Sequence, residues 1–139
     1  MLLCAIDGAI GALPLTHILE TMRPLPIEPV PAAPSSVRGA AVVRGRAIPV
    51  VDAGALCARA PSRDGRFVVV RAGDDRSVAL LVDAVIGVRE LAVEALPPLF
   101  DATSGGALDG VARIDAQLVL VLSAARLVPD HVWQMVATP

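Results

Sequence analysis

Short apolar runs rich in Val, Ile, Leu and Ala recur at close spacing along the chain, and each is bounded by Gly, Pro, Asp or Ser. Runs this short, punctuated this often, predict strands, and roughly eight to ten of them in an all-β sandwich or barrel. The clearest local pattern is Leu2–Ile6 followed by Ala9–Leu13. Between them lies Asp7-Gly8, a pair suited to the positive φ angles of a tight hairpin turn. Pro14–Met22 reads as a short helical stretch or an irregular edge that must stop before Pro24. From Pro24 to Pro34 there are five prolines in eleven residues, so this stretch lacks backbone donors and predicts an extended surface connection.

Val37–Val43 and Arg46–Val51 form the next predicted pair, joined at Arg44-Gly45, and Pro49 suggests that the second strand is an edge or carries a bulge. Asp52 is placed to cap a short apolar turn, Ala53–Cys57, and the polar stretch Arg59–Gly65 is the best internal boundary. Phe67–Arg71 and Ser77–Val82 flank Gly73-Asp74-Asp75. Val85–Leu91 continues with Val85, Gly87 and Arg89 on one face and Ile86, Val88 and Glu90 on the other. Pro97-Pro98 breaks the pattern and Gly105–Asp109 reads as a polar loop. Gly110–Ile114 and Gln117–Leu122 then make a last hairpin about Asp115-Ala116, and Ser123 is expected to cap a short helix, Ala124–Val128.

Composition narrows the function more than the fold. At 139 residues the chain suits one domain, residues 1–139. The mean hydropathy is +0.66, yet charges are spread throughout, so no window approaches the roughly 18 uncharged apolar residues that span a bilayer. The apolar start has no basic flank and is interrupted by Asp7, unlike a secretory signal. A cytoplasmic protein with no direct membrane insertion is expected. All 12 basic residues are Arg, 14 acidic residues oppose them, and the aromatics are Phe67, Phe100 and Trp133 alone. With neither a basic stripe nor a stacking platform, nucleic acid is not an expected partner.

Cys4 and Cys57 are not in a metal-ligand spacing and read as buried small hydrophobes. His17 and His131 are isolated, so no metal or cofactor is expected. Asp52 and Asp83 each follow a strand and precede a turn, with no nucleophile or oxyanion motif beside them, so capping suits them better than acid–base chemistry. No catalytic or phosphate-binding signature is present, and the chain is not expected to be an enzyme.

Four blocks, in order, resemble the CheW family over nearly the whole chain: Leu13–Glu20; Val37-Arg38-Gly39 leading to Val43–Asp52; Ala79–Val88; and Leu108–Val111 followed by Leu118–Leu122. The resemblance implies two small five-stranded barrels of SH3 type, divided approximately into residues 1–58, with completion by the C-terminal segment left open, and residues 65–128. It also implies a non-enzymatic adaptor between the cytoplasmic tip of chemoreceptors and the regulatory domain of a CheA-type histidine kinase, with self-association in arrays as a further option. A pilus-motility or developmental pathway is an alternative setting, and a small ligand-binding barrel or enzyme a more distant one.

By the same resemblance, Ile18, Glu20, Arg44 and Val88 are candidates for a receptor-binding groove, and Gly39, Ile86 and Gly110 for kinase contact. Arg44 has an equally physical alternative role as an internal clamp, and Ile18 and Val88 as core. The chain departs from the family pattern at Gly11, Thr21, Ala79 and Ser123.

Overall fold

The computed structural model describes residues 1–62, 65–98 and 106–136. Ten strands hold nearly half of them: β1 (Leu2–Ile6), β2 (Ala9–Leu13), β3 (Ile18–Met22), β4 (Val37–Val43), β5 (Arg46–Asp52), β6 (Arg66–Gly73), β7 (Arg76–Val82), β8 (Ala84–Val88), β9 (Leu108–Ile114) and β10 (Gln117–Leu122). Short helices α1 (Ala53–Leu56) and α2 (Asp130–Val136) and two 3₁₀ turns, Leu15–His17 and Ala124–Arg126, complete the described elements.

The strands form two five-stranded sheets, ordered β8-β1-β2-β10-β9 and β3-β6-β7-β5-β4. Position by position these are the same sheet built twice. In each, the strands pair antiparallel, antiparallel, parallel, antiparallel across the order. The expected division into residues 1–58 and 65–128 is therefore corrected. The first sheet takes β1 and β2 from the start of the chain and β8, β9 and β10 from its second half, while the second sheet joins β3, β4 and β5 to β6 and β7. A parallel pair cannot be closed by a tight turn. In the second sheet α1 and β6 separate the parallel strands β5 and β7, whereas in the first the chain leaves after β2 and returns at β8, so the whole second sheet is inserted between.

Each sheet is also rolled. The chain leaving edge strand β3 comes back so that Glu28 pairs with Ala40 on β4, the opposite edge of the same sheet, through mutual hydrogen bonds of 2.8 Å. In the other sheet the chain leaving β8 brings Glu94 to Val111 on β9 (2.7 and 3.1 Å), the same number of residues beyond its strand. The rolling gives every central strand two buried faces. On β6, Phe67 and Val69 point into a cluster enclosed by their own sheet, with Ala41, Val43, Ile48 and Leu81. Val68 and Val70 point the other way, into a core shared with Leu2, Cys4, Ile6 and Leu13 of the first sheet. Leu3, Ala12, Val119 and Val121 fill the first sheet's own interior. Continuous apolar runs such as Phe67–Val70 follow from this two-sided burial.

Several local expectations are revised. Pro14–Met22 is a 3₁₀ turn followed by a true strand. Strand β5 is internal rather than an edge: Ala40, opposite Pro49, spends its N–H and C=O on Glu28, and the β5–β7 ladder begins only at Val50, so no partner requires the missing proline donor. Strand β8 ends at Val88, short of Leu91. Ser123 makes no side-chain cap; its Oγ instead accepts from Arg126 Nε at 3.2 Å. Leu108 and Asp109, expected in a loop, already belong to β9. The last helix, α2, was not expected; it buries Val132, Trp133 and Val136.

Gly11, where the family pattern has an aromatic, is buried, and a Cβ there would meet Ile6 Cδ1 at 2.5 Å, so Ile6 occupies the space a larger side chain would need. At the closing bridges the constraint is backbone: a Cβ on Gly39 would lie 2.0 Å from the Glu28 carbonyl oxygen, and one on Gly110 2.5 Å from that of Glu94. Gly73 has nearly the same φ as Gly39 (149° and 145°) but open space around it, which makes it a control. Gly73→Ala should cost about 1–2 kcal/mol from backbone strain alone, and Gly39→Ala at least about 2 kcal/mol more because the bridge must move. Urea denaturation of the two variants measures the difference, and equal losses would contradict the close approach.

Candidate functional site

The two edges of the second sheet brought together by rolling carry a partly exposed ion pair. The β4–β5 turn places Arg44 and Gly45 at φ of 49° and 79°, the two successive positive values of a primed hairpin turn. From that turn Arg44 reaches across the rolled sheet to Glu20 on β3. Nε donates to Oε2 at 2.6 Å and one terminal nitrogen donates to Oε1 at 2.9 Å. The pair is bidentate, the strongest geometry open to Arg and a carboxylate. Arg44 keeps 77% of its side-chain surface exposed and Glu20 only 24%, so the carboxylate is seated in the wall while the guanidinium forms its outer surface. Both readings of Arg44 are thus compatible in one residue: it is clamped, and it remains accessible. The hydrogen bonds from Arg44 hold the Glu20 carboxyl below its ordinary pKa.

The remaining expected site residues separate into groups. Ile18 is half-buried and packs against the shared core. Ile86 and Val88 lie on the first sheet's edge strand, 53% and 62% exposed. Gly39 and Gly110 are buried beneath the two closing bridges and present no side chain to a partner. Ile86 marks a register slip: Leu3 pairs with Gly87 and Cys4 with Val85, so Ile86 is the extra residue of a bulge. The equivalent strand of the second sheet has the same device, since Ile18 pairs with Val70 and Glu20 with Val69, leaving Leu19 as the bulged residue, 46% exposed. Bulges re-aim side chains. Here each turns one aliphatic outward at an edge. Leu19 was missed because Pro14–Met22 was not read as a strand; the alternation of a strand would have placed Ile18 inward and Leu19 outward.

A second symmetric device stiffens the sheets behind these surfaces. Arg38 and Asp109 are the bulged residues of β4 and β9. Arg38 pairs at 2.9 Å with Asp52, which ends β5, and Asp109 pairs at 2.6 Å with Arg126, which follows β10, so the charges are exchanged between the two sheets. Asp52 is fully buried, and besides Arg38 it accepts from the backbone N–H groups of Ala55 and Ser62. It is the expected cap, with an ion-pair partner that spacing alone did not reveal. Asp83 likewise accepts from the Asp7 N–H at 2.7 Å, and Arg59 donates to the Asp7 carbonyl at 2.7 Å, tying the first hairpin turn to the rest of the fold.

Burial raises the Cys4 thiol to about 12 and that of Cys57 to about 11, so neither is a thiolate near neutral pH. Among the described residues no group of His, Cys, Asp and Glu is arranged to hold a metal ion, and no helix is long and apolar enough to cross a membrane.

The site is thus a twice-built rolled sheet with a bidentate clamp on an exposed turn and an outward aliphatic on one edge strand of each sheet. The profile of the CheW-like domain matches residues 1–132, and the chain belongs to that family. Among solved structures, the chain is similar to the scaffolding protein TtCheW from Thermoanaerobacter tengcongensis. The two are 23% identical, with a TM-score of 0.72, over 87% of this chain and 86% of that one, a likeness of fold. No curated protein sequence matches.

Because the Glu20 carboxyl is lowered by its partner, the clamp contributes above the ordinary carboxylate pKa and is lost as pH falls through the lowered value. Carboxyl-carbon NMR should show Glu20 titrating below the ordinary range in the parent protein and moving back up in Arg44→Ala. An unchanged titration would show that the pair does not form in solution.

Proposed function

We propose that the protein is a non-enzymatic adaptor that binds the cytoplasmic tip of a chemoreceptor and the regulatory domain of a CheA-type histidine kinase, and so couples one to the other in the cytoplasm at receptor arrays. The observation that carries the reading is the Arg44–Glu20 clamp: a guanidinium fixed in direction by a seated carboxylate, yet mostly open to solvent. Only part of its hydrogen-bonding capacity is used, so it can still donate to a partner's carbonyls or carboxylates without first being ordered. Two partners need two surfaces, and the duplicated sheet supplies them. Glu20 and Arg44, backed by Ile18, lie on the second sheet. Ile86 lies on the edge of the first, where a strand with an unpaired side suits docking against a related β-domain.

In this reading the receptor surface comprises Ile18, Glu20, Arg44 and Val88, and the kinase surface centres on Ile86. Gly39 and Gly110 act from beneath, by permitting the bridges that hold both surfaces in shape. Membership of the CheW-like family supports the adaptor role.

Pull-downs with a receptor cytoplasmic fragment and with the kinase regulatory domain test the proposal, and binding to neither would end it. Arg44→Ala should weaken receptor binding about tenfold while leaving the thermal melt nearly unchanged, since exposed ion pairs add little to stability. Ile86→Asp should reduce kinase binding and spare the receptor; Val88→Asp should do the reverse. Loss of both partners in each variant would indicate a general effect on the fold.

A further inference from the structure

Beside the clamp lies an open cleft of about 610 Å³ that includes Leu19, Arg46, Arg71, Asp74, Asp75 and Arg76. Its parts come from the features already described. Leu19 is there because the β3 bulge turns it outward. Arg71 is exposed on the neighbouring strand β6 and has no hydrogen-bond or ion-pair partner among the described residues. Arg46 and Arg76 flank the β6–β7 turn. One terminal nitrogen of Arg46 donates to the Asp75 carbonyl at 2.7 Å, and the Arg76 guanidinium lies 5.1 Å from the Trp133 ring centroid, so both are held while keeping unused donors.

Three guanidiniums against two carboxylates leave this cleft formally positive in a chain whose net charge is −2. None of the three guanidiniums forms an ion pair among the described residues, and Arg71, which has no hydrogen bond or ring contact there either, is on the strand next to the outward Leu19. An aliphatic contact beside an unpaired guanidinium is complementary to a segment carrying an aliphatic and an acidic side chain close together, and Arg is suited to take the carboxylate in a fork.

We infer that this cleft extends the clamp's docking surface and receives an acidic-and-aliphatic stretch of the receptor segment, with Leu19 taking the aliphatic side chain and Arg71 the carboxylate. This rests on the adaptor reading, from which it differs in assigning the partner's charge. Asp74 and Asp75 oppose such a ligand, which gives the assignment a second, opposite sign: removing an arginine weakens binding and removing an aspartate strengthens it.

The test uses the full chain and a soluble chemoreceptor cytoplasmic fragment that contains the hairpin tip, with affinity measured at low and high salt. Arg71→Glu should weaken binding about tenfold and flatten its salt dependence, while Asp74→Asn, a change the turn tolerates, should tighten it about twofold to threefold. Circular dichroism of both variants checks that the fold is retained. If the parent chain does not bind the fragment, the adaptor reading fails and this inference falls with it. If the parent binds and Arg71→Glu binds equally well with the same salt dependence, only the cleft assignment fails. If Arg71→Glu tightens binding and Asp74→Asn weakens it, the segment is basic and the assignment is overturned.

Discussion

The architecture depends on the meeting of each sheet's two edges. Glu28 with Ala40, and Glu94 with Val111, are single reciprocal backbone pairings, yet they convert two open five-stranded sheets into two rolled ones. Without them each sheet would have two unpaired edges, a hazard for aggregation, and an inner face with less to enclose. With them, each sheet has its own apolar interior and contributes its outer face to a core held in common with the other. A chain of 139 residues thereby buries both faces of its central strands. The bridges also determine what can sit at position 39 and position 110, where nothing larger than glycine fits under the partner carbonyl.

The site is a consequence of the same closure. Glu20 and Arg44 belong to opposite ends of the strand order β3-β6-β7-β5-β4 and meet only because that order is rolled. The exposed aliphatics arise from bulges at equivalent points of the two sheets, Leu19 and Ile86. The supporting ion pairs Arg38–Asp52 and Asp109–Arg126 occupy a further pair of equivalent points with the charges exchanged. The exchange matters because the two environments differ: Asp52 is wholly enclosed and satisfied by backbone donors as well as by Arg38, whereas Asp109 and Arg126 are half exposed. Removal of Arg38 leaves a buried carboxylate with fewer donors, a cost without counterpart at the other pair. One geometry repeated with different side chains gives two surfaces of different chemistry.

The hairpins were legible in the sequence because Asp7-Gly8, Arg44-Gly45 and Asp115-Ala116 each separate two apolar runs, the first with residues suited to positive φ, and β1, β2, β4 and β10 begin and end where those signals place them. The short punctuated apolar runs pointed to the all-β fold, and the family resemblance to two five-stranded units. Bulges were not legible, since one extra residue changes a pairing partner and leaves composition unchanged; that Leu19, Arg38, Ile86 and Asp109 are the unpaired residues is fixed by pairings distant in sequence. Insertion of the second sheet into the first escaped for the same reason, because the parallel pair β2–β10 joins segments that no local pattern connects. Helix α2 was missed because a seven-residue segment is barely two turns, too short for a helical period to stand out, and its stability comes from burying Trp133 and its neighbours against the core.

Edge-to-edge closure holds the Arg44–Glu20 clamp and the exposed edge aliphatics in place, and native-state hydrogen exchange at the amides of Glu28, Ala40, Glu94 and Val111 tests this most directly. All four should exchange as slowly as amides in the middle of β6 and β7, opening only when the whole domain unfolds, although two of them lie outside any strand. Exchange at the rate of loop amides, with β6 and β7 still protected, would contradict it.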